Sequence, residues 1–151
     1  MSNVSSDLVW EISRSQNAYL VKNKTADRAL FSRDPLNPLN LHSRKLAGFV
    51  NDKAVNVQPT PEGGVVLLSK TVSKGKSPAG NIRKVTWGPR QPNRKIYKAI
   101  ADATAQRGYR ADLREATVAR ASAIRYSQRP KKETPPPKLR GAKARAAAEK
   151  A

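Results

Sequence analysis

The sequence predicts an α+β fold, in which a small antiparallel β-sheet of about five short strands packs with two C-terminal helices. Two observations predict it. Short apolar runs separated by polar turns fill residues 7–69, and apolar residues recur at helical spacing within residues 93–127. We therefore expect one domain over residues 1–127, containing a basic loop at residues 70–92, and a basic Pro/Ala-rich extension over residues 128–151.

The first two strands are expected to form a hairpin. Leu8, Trp10 and Ile12 alternate as on one face of a strand, and a second apolar run covers residues 18–22. Trp10 is expected in the core. Residues 23–43 show no period and contain two Xaa-Pro pairs that disfavour helix and central strand. We interpret them as a long loop that becomes ordered on contact.

Three further strands are expected as an antiparallel meander. Apolar runs over residues 46–50, 54–58 and 65–69 are separated by short polar turns. The last run is apolar on both faces, which is typical of a central strand covered by helices.

The chain changes character after these strands. Its basic residues are spread among Ser, Gly, Pro and Asn, and they are Lys70, Lys74, Lys76, Arg83, Lys84, Arg90 and Arg94. Gly75-Lys76-Ser77 ends like a phosphate-binding P-loop, but Lys70 stands where that motif needs a glycine, which excludes a nucleotide site. The composition favours contact with nucleic acid; the alternative is a linker without fixed structure. Trp87 fits stacking on a base, contact with a neighbouring protein, or packing on its own domain.

The first helix is expected from a narrow apolar stripe. Asn93 can cap it, and Ile96, Ile100 and Ala103 recur at helical spacing. Gly108 is expected to end it.

The second helix is expected to begin with a capping box. Asp112 would cap it, with Glu115 as the partner three residues later. The helix should run to about Ser127, before Pro130. Tyr109, between the two helices, fits a packing hinge better than a stacking platform.

The arginines of the second helix are not evenly spread. At about 100° per residue, Leu113 and Ile124 form a narrow core edge, and four arginines share one arc of about 100°. These four are Arg110, Arg114, Arg125 and Arg129. Arg120 falls near the core edge, so it fits a bracing role as well as an RNA contact. The arc holds no acid and guanidinium binds phosphate in a bidentate way, so we interpret it as an RNA-backbone face. Lys131 and Lys132, in the tail that follows Pro130, are also expected to contact RNA. The alternatives are a solvated basic face, or arginines pairing with acids elsewhere in the chain.

The net charge of +19 is concentrated in one half. Residues 1–69 hold eight Lys and Arg against six Asp and Glu, whereas residues 70–151 hold 22 against five. The second half would repel itself without a polyanion, so a phosphate backbone is its expected partner. An acidic membrane surface is the weaker alternative, because the faces opposite the arginines are mostly alanine.

The residue inventory excludes several classes of protein. The chain has no cysteine and one histidine, His42, which excludes most catalytic triads and the common zinc sites. We expect His42 to form a hydrogen bond in the long loop. The sequence has no run of 18 apolar residues, so we expect no membrane span, and its first residues do not fit a secretory signal, so we expect an intracellular protein. The first half shows no paired carboxylates, and we expect no enzymatic activity, cofactor, metal or small-molecule substrate.

Four segments carry a resemblance to a known family: "DLVWEISRSQNAYLVKN", "LAGFVNDKAVNVQP", "GGVVLLSK" and "YRADLREATVARASAIRYSQRPK". Through them the chain resembles the eukaryotic large-subunit (60S) ribosomal protein twenty-eight family. The same type of domain resembles the N-terminal part of the Mak-sixteen type of nucleolar 60S assembly factor. Those factors carry acidic tracts, which this chain lacks.

The resemblance implies a structural component of the cytosolic 60S subunit, bound as a monomer to ribosomal RNA and beside other ribosomal proteins. It also implies a cytoplasmic location, with transit through the nucleolus during assembly, and no enzymatic activity. The contact positions it implies are Tyr109, Arg110, Arg114, Arg120 and Arg125. The alternatives are a nucleolar assembly factor and, from the Lys/Ala/Pro tail, a chromatin protein.

Overall fold

The fold comes from a computed structural model that describes residues 4–23, 29–71, 81–131, 133 and 140–149. It is α+β, as predicted, with its strands divided between two small antiparallel sheets instead of one. The elements in chain order are α1 (Ser6–Ser13), β1 (Leu20–Lys22), β2 (Leu30–Ser32), β3 (Val55–Pro59), β4 (Val65–Lys70), β5 (Ile82–Trp87), α2 (Asn93–Ala101), α3 (Arg114–Ser127) and α4 (Ala142–Ala148).

The main sheet has three strands in the order β3-β4-β5. Leu67 of β4 lies between Val57 of β3 and Val85 of β5. Directly paired residues point to the same face, so the three form an apolar row. The turn between β3 and β4 requires Gly64, whose φ is +111° and whose added Cβ would lie 2.2 Å from the carbonyl oxygen of Trp87.

The two C-terminal helices cover this apolar face. α2 packs against α3, and α3 crosses β3 and β4. Ile96 and Ile100, one turn apart on α2, are fully buried in one cluster with Val57 and Val65. α3 contributes Ala121, whose small side chain lets the helix approach closely. The helical stripe predicted from Ile96 and Ile100 is therefore confirmed.

The second sheet pairs β1 with β2, and Phe31 of β2 also bridges to Leu41. The chain that follows has little regular structure but is held by Asp34. One carboxylate oxygen of Asp34 accepts a hydrogen bond from the Leu36 amide at 2.9 Å, and the other accepts from the Phe49 amide at 3.1 Å. This part of the predicted long loop is ordered by contacts within the chain, and β2 lies inside it.

The first predicted strand is wrong, because residues 8–12 belong to helix α1. The Ser5 side chain caps this helix by accepting a hydrogen bond from the Leu8 amide at 3.2 Å. Trp10 is half-buried outside the main core, with its ring centroid 5.0 Å from that of His42. His42 does form a hydrogen-bonded contact, with Nε2 2.8 Å from the carbonyl oxygen of Arg14.

Two further assignments are corrected. Residues 46–50 form turns and no strand, although Leu46, Ala47 and Val50 are buried. The segment 70–92 is not one continuous loop, because Lys70 ends β4 and β5 lies within it. The charged residues of β5 made its alternation of apolar and polar residues hard to recognise in the sequence.

The helix termini differ from the capping predictions. α2 is followed by a π-helical segment, Asp102–Gln106, and Gly108, with φ of +59°, ends the helical run as predicted. The capping box is wrong: Ala111–Leu113 forms a 3₁₀ turn, α3 begins at Arg114, and no side chain caps it. The carboxylate of Asp112 pairs with an arginine instead.

The predicted basic C-terminal extension, residues 128–151, contains helix α4. Over the described ranges of the chain, no helix combines the length and apolar character needed to cross a membrane.

Candidate nucleic-acid interface

The basic residues predicted to contact RNA fall, within the described chain, into two sets with different partners. We call Lys70, Arg110, Arg120 and Arg125 the inward-facing cations, because their side chains donate to backbone carbonyls of the same chain. A second set, defined below, points to solvent.

Arg120 joins α3 to the sheet and to the preceding loop. Its Nε donates to the carbonyl oxygen of Val57 at 2.8 Å, and its Nη1 donates to that of Pro38 at 2.8 Å. Burial of the side chain lowers the pKa of the guanidinium from its usual value. β3 is an edge strand, so Arg120 satisfies a carbonyl that no neighbouring strand reaches. Arg120 therefore has the bracing role that its place near the core edge of the helical wheel predicted.

Arg110 lies outside α3 and ties the helix start to the loop before β3. Its Nη1 donates to the carbonyl oxygen of Lys53 at 2.7 Å, and its Nη2 donates to that of Lys45 at 2.9 Å. Nε and Nη2 also donate to the two carboxylate oxygens of Asp112, each at 2.8 Å. The hydrogen bond from Arg110 is the main reason that the pKa of Asp112 lies below its usual range.

The end of α3 is held by Arg125 and Gln128. The Nε of Arg125 donates to Oδ1 of Asn93 at 2.7 Å, and its Nη2 donates to the carbonyl oxygen of Pro89 at 2.9 Å. The Gln128 side chain accepts from the Gly64 amide at 3.0 Å and donates to the Gly64 carbonyl at 2.7 Å. The helix therefore fixes both the loop before α2 and the β3–β4 turn.

Lys70 and Tyr109 complete the inward contacts. The Lys70 ammonium donates to the carbonyl oxygens of Gly48, at 3.1 Å, and Asn51, at 2.8 Å. The Tyr109 hydroxyl donates to the carbonyl oxygens of Lys70 and Ala54. Burial raises the pKa of Tyr109 above its usual value. These contacts show Tyr109 in the packing role that the sequence favoured.

The outward-facing cations are Arg83, Lys84, Arg90, Arg94, Arg114, Arg129 and Lys131, all exposed. Within the described ranges, none of them makes a side-chain hydrogen bond or ion pair with another residue. Arg129 stacks instead on the Tyr126 ring, with 5.5 Å from its guanidinium carbon to the ring centroid. The predicted contacts Lys74, Lys76 and Lys132 lie outside the described residues.

Two of the outward-facing cations occupy positions that helix stability disfavours. Arg94 lies in the first turn of α2, which contains no acid, and Arg114 begins α3. The partial positive charge at a helix N-terminus favours acids there and opposes cations. Fold stability thus gives no reason for these arginines, whereas an anionic partner would.

The single arginine face predicted from the helical wheel is therefore divided. Arg110 and Arg129 lie outside α3, and the donors of Arg110 and Arg125 are directed at the protein. Arg114 remains as the exposed arginine of that arc within the helix.

A second exposed surface is apolar. Nine large apolar residues of the described chain are exposed, and eight of them lie within residues 4–41. They include Leu8 and Ile12 on α1, and Phe31 paired with Leu41 at the small sheet. These residues lie in the near-neutral half of the sequence, whereas the outward-facing cations lie in the basic half.

Comparison with known proteins identifies the family. The Ribosomal L28e protein family matches residues 8–127, from α1 to the last residue of α3. The chain belongs to the Ribosomal L28e family. A relative from Schizosaccharomyces pombe, named "Large ribosomal subunit protein eL28", is 44% identical over 131 residues, covering 86% of this chain and 97% of the relative. A relative of the same name from Dictyostelium discoideum is 29% identical over 130 residues, covering 86% and 93%.

Membership of the Ribosomal L28e family confirms the resemblance seen in the sequence. The matched residues contain all the inward-facing cations and five of the outward-facing ones; Arg129 and Lys131 follow the matched region. That any of these residues contacts RNA stays a prediction.

Sequence reasoning missed several residues whose long-range contacts hold the elements in place. Gln128 was not singled out, and Asn93 was assigned as a helix cap although it accepts from Arg125. Arg44 was also missed; it pairs with Asp7 at 2.8 Å and donates to Ser6, which ties α1 to the body. These contacts of Gln128, Asn93 and Arg44 join residues 32 or more positions apart, so no local pattern signals them.

Proposed function

We propose that this chain is a structural constituent of the cytosolic large (60S) ribosomal subunit, where it supports translation by binding ribosomal RNA. The observation that carries the proposal is the family match over residues 8–127, with relatives named as large ribosomal subunit proteins. A structural role without catalysis agrees with that family. The proposed location is the cytoplasmic ribosome, reached after assembly in the nucleolus, and the chain acts there as a monomer.

The outward-facing cations are the proposed RNA contacts within the described chain. They are exposed, they lack acidic partners, and they belong to the half of the sequence with 22 basic and five acidic residues. Phosphate oxygens would supply the acceptors that the protein does not. Lys70, Tyr109, Arg110, Arg120 and Arg125 would act by holding the elements that present these cations.

Neighbouring proteins of the subunit are the proposed partners of the exposed apolar surface. Residues 1–69 hold eight basic and six acidic side chains, so this half offers little attraction to a phosphate backbone. Exposed apolar groups such as Ile12, which is 71% exposed, would instead be buried by a protein surface.

Sedimentation tests the proposal. The tagged full chain should co-sediment with 60S subunits and polysomes through a high-salt wash, and RNase should release it where DNase does not. Recovery from precursor particles alone would identify a nucleolar assembly factor, and release by DNase a chromatin protein. Either result would overturn the proposal.

Salt dependence tests the role of the cations. Affinity of the isolated chain for RNA should fall steeply with salt, because each neutralised phosphate releases counterions. A flat titration would contradict binding through the outward-facing cations.

A further inference from the structure

A cavity of about 450 Å³ opens beside β5, between the main sheet and the helical segment that follows α2. Its apolar floor is formed by Val55, Leu67 and Val85, from three adjacent strands. This volume lies in the range of small-molecule sites, which is roughly 300 to 1,000 Å³.

The cavity exists because β5 is an edge strand of the sheet. Arg83, Val85 and Trp87 alternate along β5 and share the face that carries Leu67. α3 covers that face over β3 and β4, while Val85 and Trp87 are only partly buried. The end of the sheet's helix-facing side therefore remains open.

The wall of the cavity combines aromatic rings with cations. Trp87 and Tyr109 supply the rings, and Arg83 and Arg107 supply two guanidinium groups. Asp102 is the acid of the lining, so the arginines outnumber it. Arg107 follows the π-helical segment, a departure from regular helix that is frequent at functional sites.

These groups match the chemistry of an unpaired nucleotide. A base offers flat apolar faces for an aromatic ring, and its phosphates accept hydrogen bonds from arginine. A paired base cannot enter a cavity, because its edge and both its faces are occupied within the duplex. An apolar side chain of another protein would use the floor and rings but would leave both arginines without an anion.

We propose that this cavity beside β5 takes an unpaired nucleobase of the RNA, which packs on Trp87 while Arg83 and Arg107 bind the adjoining phosphates. This rests on the proposed function, and it adds a site for single-stranded RNA to a surface that otherwise contacts backbone phosphates. It assigns Trp87 to base contact, and it adds Arg107 to the RNA-binding residues.

The fluorescence of Trp87 gives a direct test, because the chain has two tryptophans. The Trp10→Phe variant of the full chain keeps a ring against His42 and leaves Trp87 as the sole reporter. Titration with a single-stranded RNA oligonucleotide should change its emission saturably, and an RNA duplex of equal length should not. Binding is followed in parallel by the anisotropy of labelled RNA. Single-stranded RNA that binds without changing Trp87 emission would overturn the inference.

A second variant fills the cavity without altering charge. Ala99→Phe adds a ring at a residue of the lining, and Ala119→Phe is the matched control on α3, at a residue that lies outside the cavity. Filling should weaken single-stranded RNA binding by about tenfold, as expected for the loss of one stacked base, with the control and the duplex affinity unchanged. Equal affinities of the two variants for single-stranded RNA would also overturn the inference.

The experiment separates this inference from the proposed function. If the wild-type chain binds neither RNA, RNA binding itself is wrong. A second case is a chain that binds both single-stranded and duplex RNA. If Trp87 emission then does not change and Ala99→Phe binds single-stranded RNA as well as its control does, only the nucleobase site is wrong.

Discussion

Arg120 and Arg114 lie on the same helix, six residues apart, and have different partners. Arg120 donates to two carbonyl oxygens of its own chain, whereas Arg114 is exposed and makes no side-chain hydrogen bond or ion pair within the described residues. The difference teaches that arginine density on a helix does not measure an RNA-binding face. A guanidinium suits backbone carbonyls as well as phosphate, because its donors form a planar fork.

The inward-facing cations share one physical task. Arg120 bonds a carbonyl on an edge strand, and Arg110 and Arg125 bond carbonyls in loops before β3 and α2. Such carbonyls have no strand or helix partner. The two carbonyl contacts of Arg120 are part-buried, and a buried acceptor without a donor costs about 1 to 3 kcal/mol. Some of the arginines of the folded domain thus donate to carbonyls that no strand or helix hydrogen bond reaches.

The largest expected effect is on stability, from Arg120→Met, which keeps the aliphatic stem and removes the donors. The free energy of unfolding should fall by about 2 to 3 kcal/mol, because two carbonyl acceptors lose a charged donor. Denaturant unfolding of the isolated chain measures it. Arg114→Met is the matched control. If both variants lose the same stability, the division between inward- and outward-facing arginines is wrong.

Helical periodicity predicted part of this division. It placed Arg120 near the core edge, Ile96 and Ile100 in the core, and the two C-terminal helices in their order. It failed for Arg110, because that residue precedes the helix, and for Arg125, because its carbonyl acceptor lies 36 positions away in the chain. Facing angles on a wheel cannot show which distant segment will pack there.

Strand prediction failed where a local pattern was compatible with more than one kind of structure. Leu8, Trp10 and Ile12 alternate as in a strand, yet the Ser5 cap and the contacts of Arg44 hold them in α1. β5 was missed because Arg83 and Lys84 made it resemble a loop. On an edge strand, exposed charges are the ordinary means of preventing further pairing, so the charges and the strand are compatible.

A smaller effect is expected from Tyr109→Phe. Loss of the hydroxyl should destabilise the chain by about 1 kcal/mol at neutral pH. The pKa of Tyr109 is raised in the folded state, so its contribution is complete below the unfolded-state pKa and is lost as pH rises through the folded one. The gap between wild type and variant in denaturant unfolding should therefore narrow above about pH 10. A gap that widens there would contradict the donor role of the hydroxyl.

Asp112→Asn should cost less, about 0.5 kcal/mol, because its side chain is 39% exposed and solvent weakens the pair with Arg110. The pKa of Asp112 is lowered in the folded state, so its contribution is present at neutral pH and is lost as pH falls through that pKa. Unfolding curves of wild type and variant should converge in acid, below the usual carboxylate range. If the curves stay parallel down to that pH, the ion pair with Arg110 is not the cause of the stability difference.

Ile12→Glu should leave both stability and RNA affinity nearly unchanged, because the side chain is 71% exposed in the near-neutral half. Its expected effect is on incorporation into 60S particles, through lost contact with a neighbouring protein. Sedimentation of the tagged variant measures it, with Ile12→Leu as the control. Normal incorporation of the glutamate variant would show that this surface contacts no protein there.

The smallest effect on stability, and the sharpest test of the comparison, is expected from Arg114→Gln. The substitution removes no hydrogen bond or ion pair within the described chain, and it relieves a cation at a helix N-terminus, so the free energy of unfolding should stay within about 0.5 kcal/mol of wild type. RNA affinity should fall, and the slope of its logarithm against the logarithm of salt concentration should decrease by about one, as for the loss of one phosphate contact. Arg120→Lys should show the reverse pattern, with lower stability and an unchanged salt slope. An ammonium keeps the charge but lacks the planar fork that reaches both carbonyls. If Arg114→Gln leaves the salt slope unchanged, exposure without a protein partner is not evidence of RNA contact in this chain. The outward-facing set would then have to be defined by direct contact mapping on the ribosomal particle.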